Sequence, residues 1–154
     1  MRKNSFVGKV FITNSSEETQ KLGRDFAKTL KSGDVVCLYG ILGTGKTTFV
    51  QGLAQGLGIN NRIISPTFVI VRNYKVKNNE ANAMNFYHID LYRIDSKEDI
   101  ENLGIEDIVN NKNNIVAIEW AEKLKSCRYQ EGIIAEFCYE KKDARRIVFR
   151  SLNQ

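Results

Sequence analysis

Proline occurs once in the 154 residues, as Pro66, and the 11 glycines are scattered. That excludes a Pro-rich stalk and a collagen-like repeat, and hydrophobic residues at 42% with charged residues at 27% exclude a disordered chain. No apolar run approaches the roughly 18 residues that span a bilayer, so no membrane association is expected. Met1-Arg2-Lys3-Asn4 leads into no apolar signal core, so a cytoplasmic protein is expected. Cys37, Cys127 and Cys138 are odd in number and, with His88 as the lone histidine, give no C-x-x-C pair or Cys/His ligand spacing. They read as reduced structural thiols rather than metal ligands.

Twenty-three Lys and Arg stand against 18 Asp and Glu, a formal charge of +5, unevenly spread. Residues 1–13 carry Arg2, Lys3 and Lys9 without an acid, and the segment from Ala121 onward is also basic. Two basic ends could face RNA or an acidic protein, but no aromatic-interleaved basic stripe accompanies them, and a solvated surface is the favoured reading.

Hydrophobic periodicity gives the element order. Ser5–Thr13 reads as an edge strand, and Ser15-Ser16-Glu17-Glu18 supplies a capping box for a helix whose apolar face is Leu22, Phe26 and Leu30. Asp34–Tyr39 is a short apolar, β-branched run, hence a buried strand. A glycine-rich turn follows, then a helix carrying Phe49, Val50, Leu53, Ala54 and Leu57, ended by Gly58. Further strands are predicted at Thr67–Val76, Met84–Asp90, Asn114–Trp120, Gly132–Tyr139 and Arg145–Ser151, with a loop over Lys75–Ala83 and a short helix over Ser96–Gly104. The late strands lack an intervening helix, so antiparallel strands are expected beside a parallel core.

Gly40-Ile41-Leu42-Gly43-Thr44-Gly45-Lys46-Thr47 fits the phosphate-binding pattern G-x-x-x-x-G-K-[ST], with the required strand before it and helix after it. Glycines let successive backbone N–H groups curl toward phosphate oxygens, and the helix beginning near Lys46 and continuing through Thr48 aims its positive end at the same anion. In such loops the lysine reaches the β- and γ-phosphates of ATP and the threonine hydroxyl ligates Mg²⁺. The expectation is therefore one domain over residues 1–154, an α/β three-layer sandwich of the P-loop NTPase type. Its sheet should be mixed, mainly parallel, with late antiparallel strands.

Such a loop also needs an acid for magnesium and a group that orients the attacking water. Two predicted strands end in carboxylates, Asp90 and Glu119, and ligands of open α/β sheets gather at the carboxyl ends of strands. Ser65-Pro66-Thr67 is a rigid turn that would present Thr67 where switch threonines sense the γ-phosphate. His88 shares the Asp90 face by strand alternation and reads as a packed core histidine rather than a catalytic base. Trp120 reads as a partly exposed packing residue or partner contact. A GTPase is excluded because Asn111-Lys112-Asn113-Asn114 lacks the guanine-reading aspartate of N-K-x-D and Asp90 opens no D-x-x-G. A small phosphotransferase, or a nucleotide-gated binding module without meaningful hydrolysis, stays open as an alternative.

The combination of GILGTGKTTFVQGL, ISPTF, FYHIDLYR, ENLGIED and IVAIEW resembles the bacterial TsaE (YjeE) family, ATPase subunits of the tRNA threonylcarbamoyladenosine system. The resemblance runs from about Ser15 to Trp120. It implies Lys46 and Thr47 in the phosphate loop, Thr67 in a switch, Asp90 as the acid for Mg²⁺, and Glu119 near the metal and the attacking water. It also implies Arg145 or the segment around Ser16 near the adenosine, and TsaD-like and TsaB-like partner subunits that carry the transferase chemistry on tRNA. Ile41 departs from the family's usual G-D-L-G-A-G-K, and the segment from Ala121 lacks the usual proline. The first departure bears on a partner contact or local switch geometry, not on phosphate binding.

Overall fold

β-branched apolar residues dominate β2 (Val35–Tyr39) and β5 (Asn114–Glu119), and all six β5 residues are buried, the signature of a central strand covered on both faces. The computed structural model describes residues 4–63, 69–76, 84–124 and 132–152. The other elements are β1 (Val10–Thr13), α1 (Ser16–Ala27), α2 (Lys46–Gly56), β3 (Val71–Val76), β4 (Met84–Asp90), α3 (Lys97–Asn102), α4 (Ile105–Asn110), β6 (Ile133–Tyr139) and β7 (Arg145–Ser151). A 3₁₀ turn at Ala121–Lys123 follows β5.

One seven-stranded sheet has the order β1-β7-β6-β2-β5-β4-β3. The run β6-β2-β5-β4 is parallel, and antiparallel pairs close both margins: β3 on β4 at one side, β7 on β6 and β1 on β7 at the other. Alternation sorts the sheet residues into two cores. Val36, Leu38, Phe86, Ile115 and Ala117 pack under α1 and α2, whereas Val35, Cys37, Ile89, Val116 and Ile118 pack under α3 and α4. These are the three expected layers. Among the described residues no helix is long and apolar enough to cross a membrane.

The local chemistry accounts for most boundaries. Ser15 caps α1 by accepting from the Glu18 N–H at 3.1 Å, and Glu18 reaches back to the Asn14 N–H at 2.6 Å. Ser96 likewise caps α3 through the Asp99 N–H at 3.0 Å. Several elements differ from expectation. α1 ends at Ala27 rather than at Ser32-Gly33, because the Thr29 N–H and hydroxyl both turn back to the Phe26 carbonyl, so Leu30 packs on the core from beyond the helix. β3 begins only at Val71. The edge strand is shorter, because residues 5–8 form a turn through Gly8 at φ +86°. β5 stops at Glu119, one residue early, because Trp120 adopts left-handed backbone and starts the 3₁₀ turn. Gly104 at φ +67° does not simply end a helix; it separates α3 from a second helix, α4. Pro66, Thr67, Cys127 and most of the predicted 75–83 loop lie outside the described residues.

Glycines let α1 and α2 touch backbone to backbone. A Cβ at Gly52 would fall inside the Gln20 carbonyl, one at Gly23 inside the Phe49 carbonyl, and one at Gly56 would lie 2.7 Å from the Arg24 carbonyl. Neither helix can retreat, since Phe26, Phe49 and Leu53 are fully buried beneath them. We expect Gly52→Ala to lower stability by roughly 1–3 kcal/mol, the usual cost of overpacking. Urea unfolding reads this directly, and an unchanged midpoint would show that the helices can move apart freely.

Candidate functional site

The site begins where β2 ends. Gly40, at φ +142°, turns the chain away from the sheet so tightly that a Cβ there would sit 2.6 Å from the Phe137 carbonyl. Gly43 and Gly45 also hold positive φ, at +82° and +96°. Gly45 is the N-cap of α2 and brings no capping side chain. The N–H groups of the first α2 turn are therefore left to whatever anion the loop holds. Within the loop, the Thr44 hydroxyl donates to the Ile41 carbonyl at 2.8 Å.

Lys46 is 4% exposed and its ammonium is turned back onto the loop. It donates to the Gly40 carbonyl and, at 3.0 Å, to the Ile41 carbonyl, and lies 4.5 Å from the centroid of the Trp120 ring. Burial pushes this ammonium below the ordinary lysine range, opposed by the Glu119, Glu122 and Asp90 carboxylates. A desolvated cation with no carboxylate bonded to it among the described residues is well placed to receive an incoming anion.

The parallel pairing of β4 and β5 sets Asp90 opposite Glu119 at the carboxyl ends of the strands. The Thr47 hydroxyl lies 3.0 Å from each Glu119 carboxylate oxygen, and His88 Nε2 lies 2.8 Å from Oε1. Asp90 accepts from the Tyr92 N–H at 2.9 Å. Lys123 ties the segment after Asp90 to the turn after Glu119, donating to the Tyr92 and Ile94 carbonyls at 2.7 and 2.9 Å. Trp120, at φ +58°, is the one described non-glycine residue with positive φ, and its ring packs 5.1 Å from Tyr92 while covering Lys46.

At the opposite rim, β6 and β7 reach the loop. The Tyr139 hydroxyl donates to the Leu42 carbonyl and the Arg145 guanidinium to the Gly43 carbonyl, each at 3.4 Å. The Arg145 guanidinium carbon stands 4.3 Å from the Tyr139 ring centroid. Among the described residues no group of three or more His, Cys, Asp or Glu could hold a metal on its own. The hydroxyl of Thr47 beside a carboxylate instead suits a hard cation such as Mg²⁺, which takes one or two protein oxygens and completes its shell with phosphate and water.

The family described as "Threonylcarbamoyl adenosine biosynthesis protein TsaE" matches residues 13–147. The chain belongs to the TsaE family. It is 43% identical to the tRNA threonylcarbamoyladenosine biosynthesis protein TsaE of Rickettsia felis over 75% of this chain and 64% of that protein. The corresponding protein of Aquifex aeolicus is 40% identical over 77% of this chain and 81% of its own length. The matched segment thus spans slightly less than two thirds of the Rickettsia felis protein. Among solved structures, the crystal structure of Bacillus subtilis YdiB is similar with a TM-score of 0.70 at 31% identity, covering 92% of this chain and 83% of that one.

The structure brings together most of the residues singled out by the loop motif and by the TsaE resemblance. Gly40, Leu42, Gly43, Thr44, Gly45, Lys46 and Thr47 form the loop, Thr48 follows in the first turn of α2, and Asp90 and Glu119 face it from adjacent strands. Arg145 stands at the loop rim. Ser16 opens α1, whose Thr19 methyl would lie 3.7 Å from a Cβ at Gly45. Thr67 lies outside the described residues. Three participants escaped the sequence reading: the contact of His88 with Glu119, the Trp120 ring over Lys46, and Tyr139 against Leu42. The spacing of His88 and Asp90 did signal a shared face.

Replacing Lys46 by Met removes a buried cation whose charge folding disfavours. The unliganded thermal midpoint of Lys46→Met should equal or exceed that of the wild type, while stabilisation by a triphosphate, about 2.7 kcal/mol at a hundredfold excess over Kd, disappears. Thermal unfolding with and without ATP or inorganic tripolyphosphate measures both. Persistent anion stabilisation would remove Lys46 from the site.

Proposed function

We propose that this TsaE-family chain binds Mg-ATP in the Gly40–Thr47 loop and hydrolyses it slowly. On this reading it acts in the cytoplasm as the nucleotide-driven subunit of threonylcarbamoyl modification of the adenosine beside the anticodon. The observation that carries the reading is the Thr47 hydroxyl held 3.0 Å from both oxygens of a buried Glu119 beside an anion-ready glycine loop. An ordinary glycine turn has no reason to bury a carboxylate next to a lysine.

In this mechanism Lys46 exchanges its loop carbonyls for the β- and γ-phosphates, an interaction stronger than the one it gives up because both partners are ionised. Thr47, with Asp90 and Glu119 nearby, would hold Mg²⁺, which would supply charge neutralisation at the phosphates. Glu119 orients the attacking water and accepts its proton. The water oxygen bonds to the γ-phosphorus as the bond to the β-phosphate oxygen breaks, leaving ADP and inorganic phosphate. The threonylcarbamoyl transfer itself belongs to TsaD-like and TsaB-like partners, with tRNA engaged at the level of the complex. Turnover by the isolated chain is accordingly slow and rises in their presence.

Paired variants test the assignment. Glu119→Gln should bind Mg-ATP within a few-fold of wild type while single-turnover hydrolysis falls by about 10²–10⁴. Asp90→Asn should weaken Mg-ATP yet spare nucleotide offered without metal. Wild-type turnover in Glu119→Gln would end the hydrolytic reading, and phosphate transfer to a small acceptor in place of water would identify a phosphotransferase.

A further inference from the structure

His88 is fully buried in β4, registered beside Ala117 of β5, two residues before Asp90. Its Nε2 sits 2.8 Å from Glu119 Oε1, and its Nδ1 finds no hydrogen-bond partner among the described residues. Placing the proton on Nε2, where the carboxylate accepts it, satisfies the geometry. Placing it on Nδ1 would bury a donor without an acceptor.

The second tie on the Glu119 carboxylate comes from the Thr47 hydroxyl. That hydroxyl carries one proton and faces two oxygens, so it holds only one of them at a time. Thr47 is also the residue whose oxygen would hold a metal bound with the nucleotide. Coordination through an oxygen lone pair would leave the hydroxyl its one proton, so Thr47 would still hold a single carboxylate oxygen and the bond from His88 would be needed to fix the other. A ring locked between strands and offering its donor from the sheet side holds the carboxylate in one orientation while the opposite side faces the phosphate loop.

We infer that His88 is a positioning residue for hydrolysis, fixing the Glu119 carboxylate in the nucleotide-loaded state. The inference rests on the proposed ATPase reading and adds to it a residue that touches neither nucleotide nor water. Removing the donor should therefore spare ground-state binding and slow the chemical step, because Glu119 becomes free to rotate away from the water it orients.

The experiment compares full-length His88→Leu, His88→Gln, His88→Asn, Glu119→Gln and the His88→Leu/Glu119→Gln double variant. Mg-ATP affinity is read by calorimetry and hydrolysis by single turnover. His88→Leu should bind Mg-ATP within about threefold of wild type and hydrolyse it roughly 10–100-fold more slowly, the usual scale for an outer-shell hydrogen bond. His88→Gln, whose amide N–H can reach as far as Nε2, should recover most of the rate, and His88→Asn, whose amide is shorter, should not. The double variant should be no slower than Glu119→Gln alone, because a positioning residue has nothing left to position.

Wild-type turnover in His88→Leu, or additive losses in the double variant, overturns the inference. If the leucine variant does not fold, glutamine against asparagine decides, and equal rates for those two overturn it. Failure of the underlying reading is distinct, since Glu119→Gln would then keep wild-type hydrolysis whatever stands at 88.

Discussion

A carboxylate that is 2% exposed is tolerable only where donors reach it, and Glu119 draws its donors from two other elements at once. α2 supplies the Thr47 hydroxyl and β4 supplies His88. These contacts require α2 to start at a fixed height above the sheet and β4 to pair with β5 in one register. A shift of either strand by one residue would turn His88 or Glu119 to the α3–α4 side of the sheet and bury an unpaired polar group among Ile89, Val116 and Ile118. The same register places Asp90 beside Glu119. One buried acid thus specifies the alignment of the strand ends on which the site is built.

Lys46 presents the complementary situation. Its charge is desolvated and bonded to two backbone carbonyls rather than to a carboxylate, and the face of Trp120 covers it. Trp120 reaches that position through left-handed backbone, which costs a bulky residue of order 1 kcal/mol or more. Lys123 and the Tyr92 ring hold the turn in this shape from the neighbouring strand end. The loop therefore spends stability on keeping a cation dry and aimed.

The shape of the Gly40–Thr47 loop was legible in the sequence because its determinants are local. Three glycines, a lysine and a threonine at fixed spacing dictate the turn without help from elsewhere in the chain. The caps at Ser15 and Ser96 were legible for the same reason. α4 was not, since its N-cap is Gly104, which brings no capping side chain, whereas α3, equally six residues long, is announced by Ser96. Alternation put His88 on the Asp90 face yet could not say which residue of the next strand would meet it. That depends on the β4–β5 register, which no local pattern encodes. The histidine read as core packing is buried as expected, but its ring is bonded to the acid of the site. Tyr139 meets Leu42, and Arg145 meets Gly43, across about a hundred residues of chain, beyond the reach of any local motif.

Ile41 shows why a departure from a family pattern need not disturb the chemistry. Its carbonyl accepts from the Thr44 hydroxyl and from Lys46, so its backbone is part of the loop's internal bonding. Its side chain is 65% exposed, and that of Leu42 beside it is 64% exposed. Leu42 likewise contributes its carbonyl, to the Tyr139 hydroxyl. The loop holds its shape largely through main-chain atoms and the glycines that let them curl, leaving the side chains at 41 and 42 directed to solvent. An isoleucine at 41 therefore leaves the loop's main-chain bonding undisturbed and presents an aliphatic surface outward.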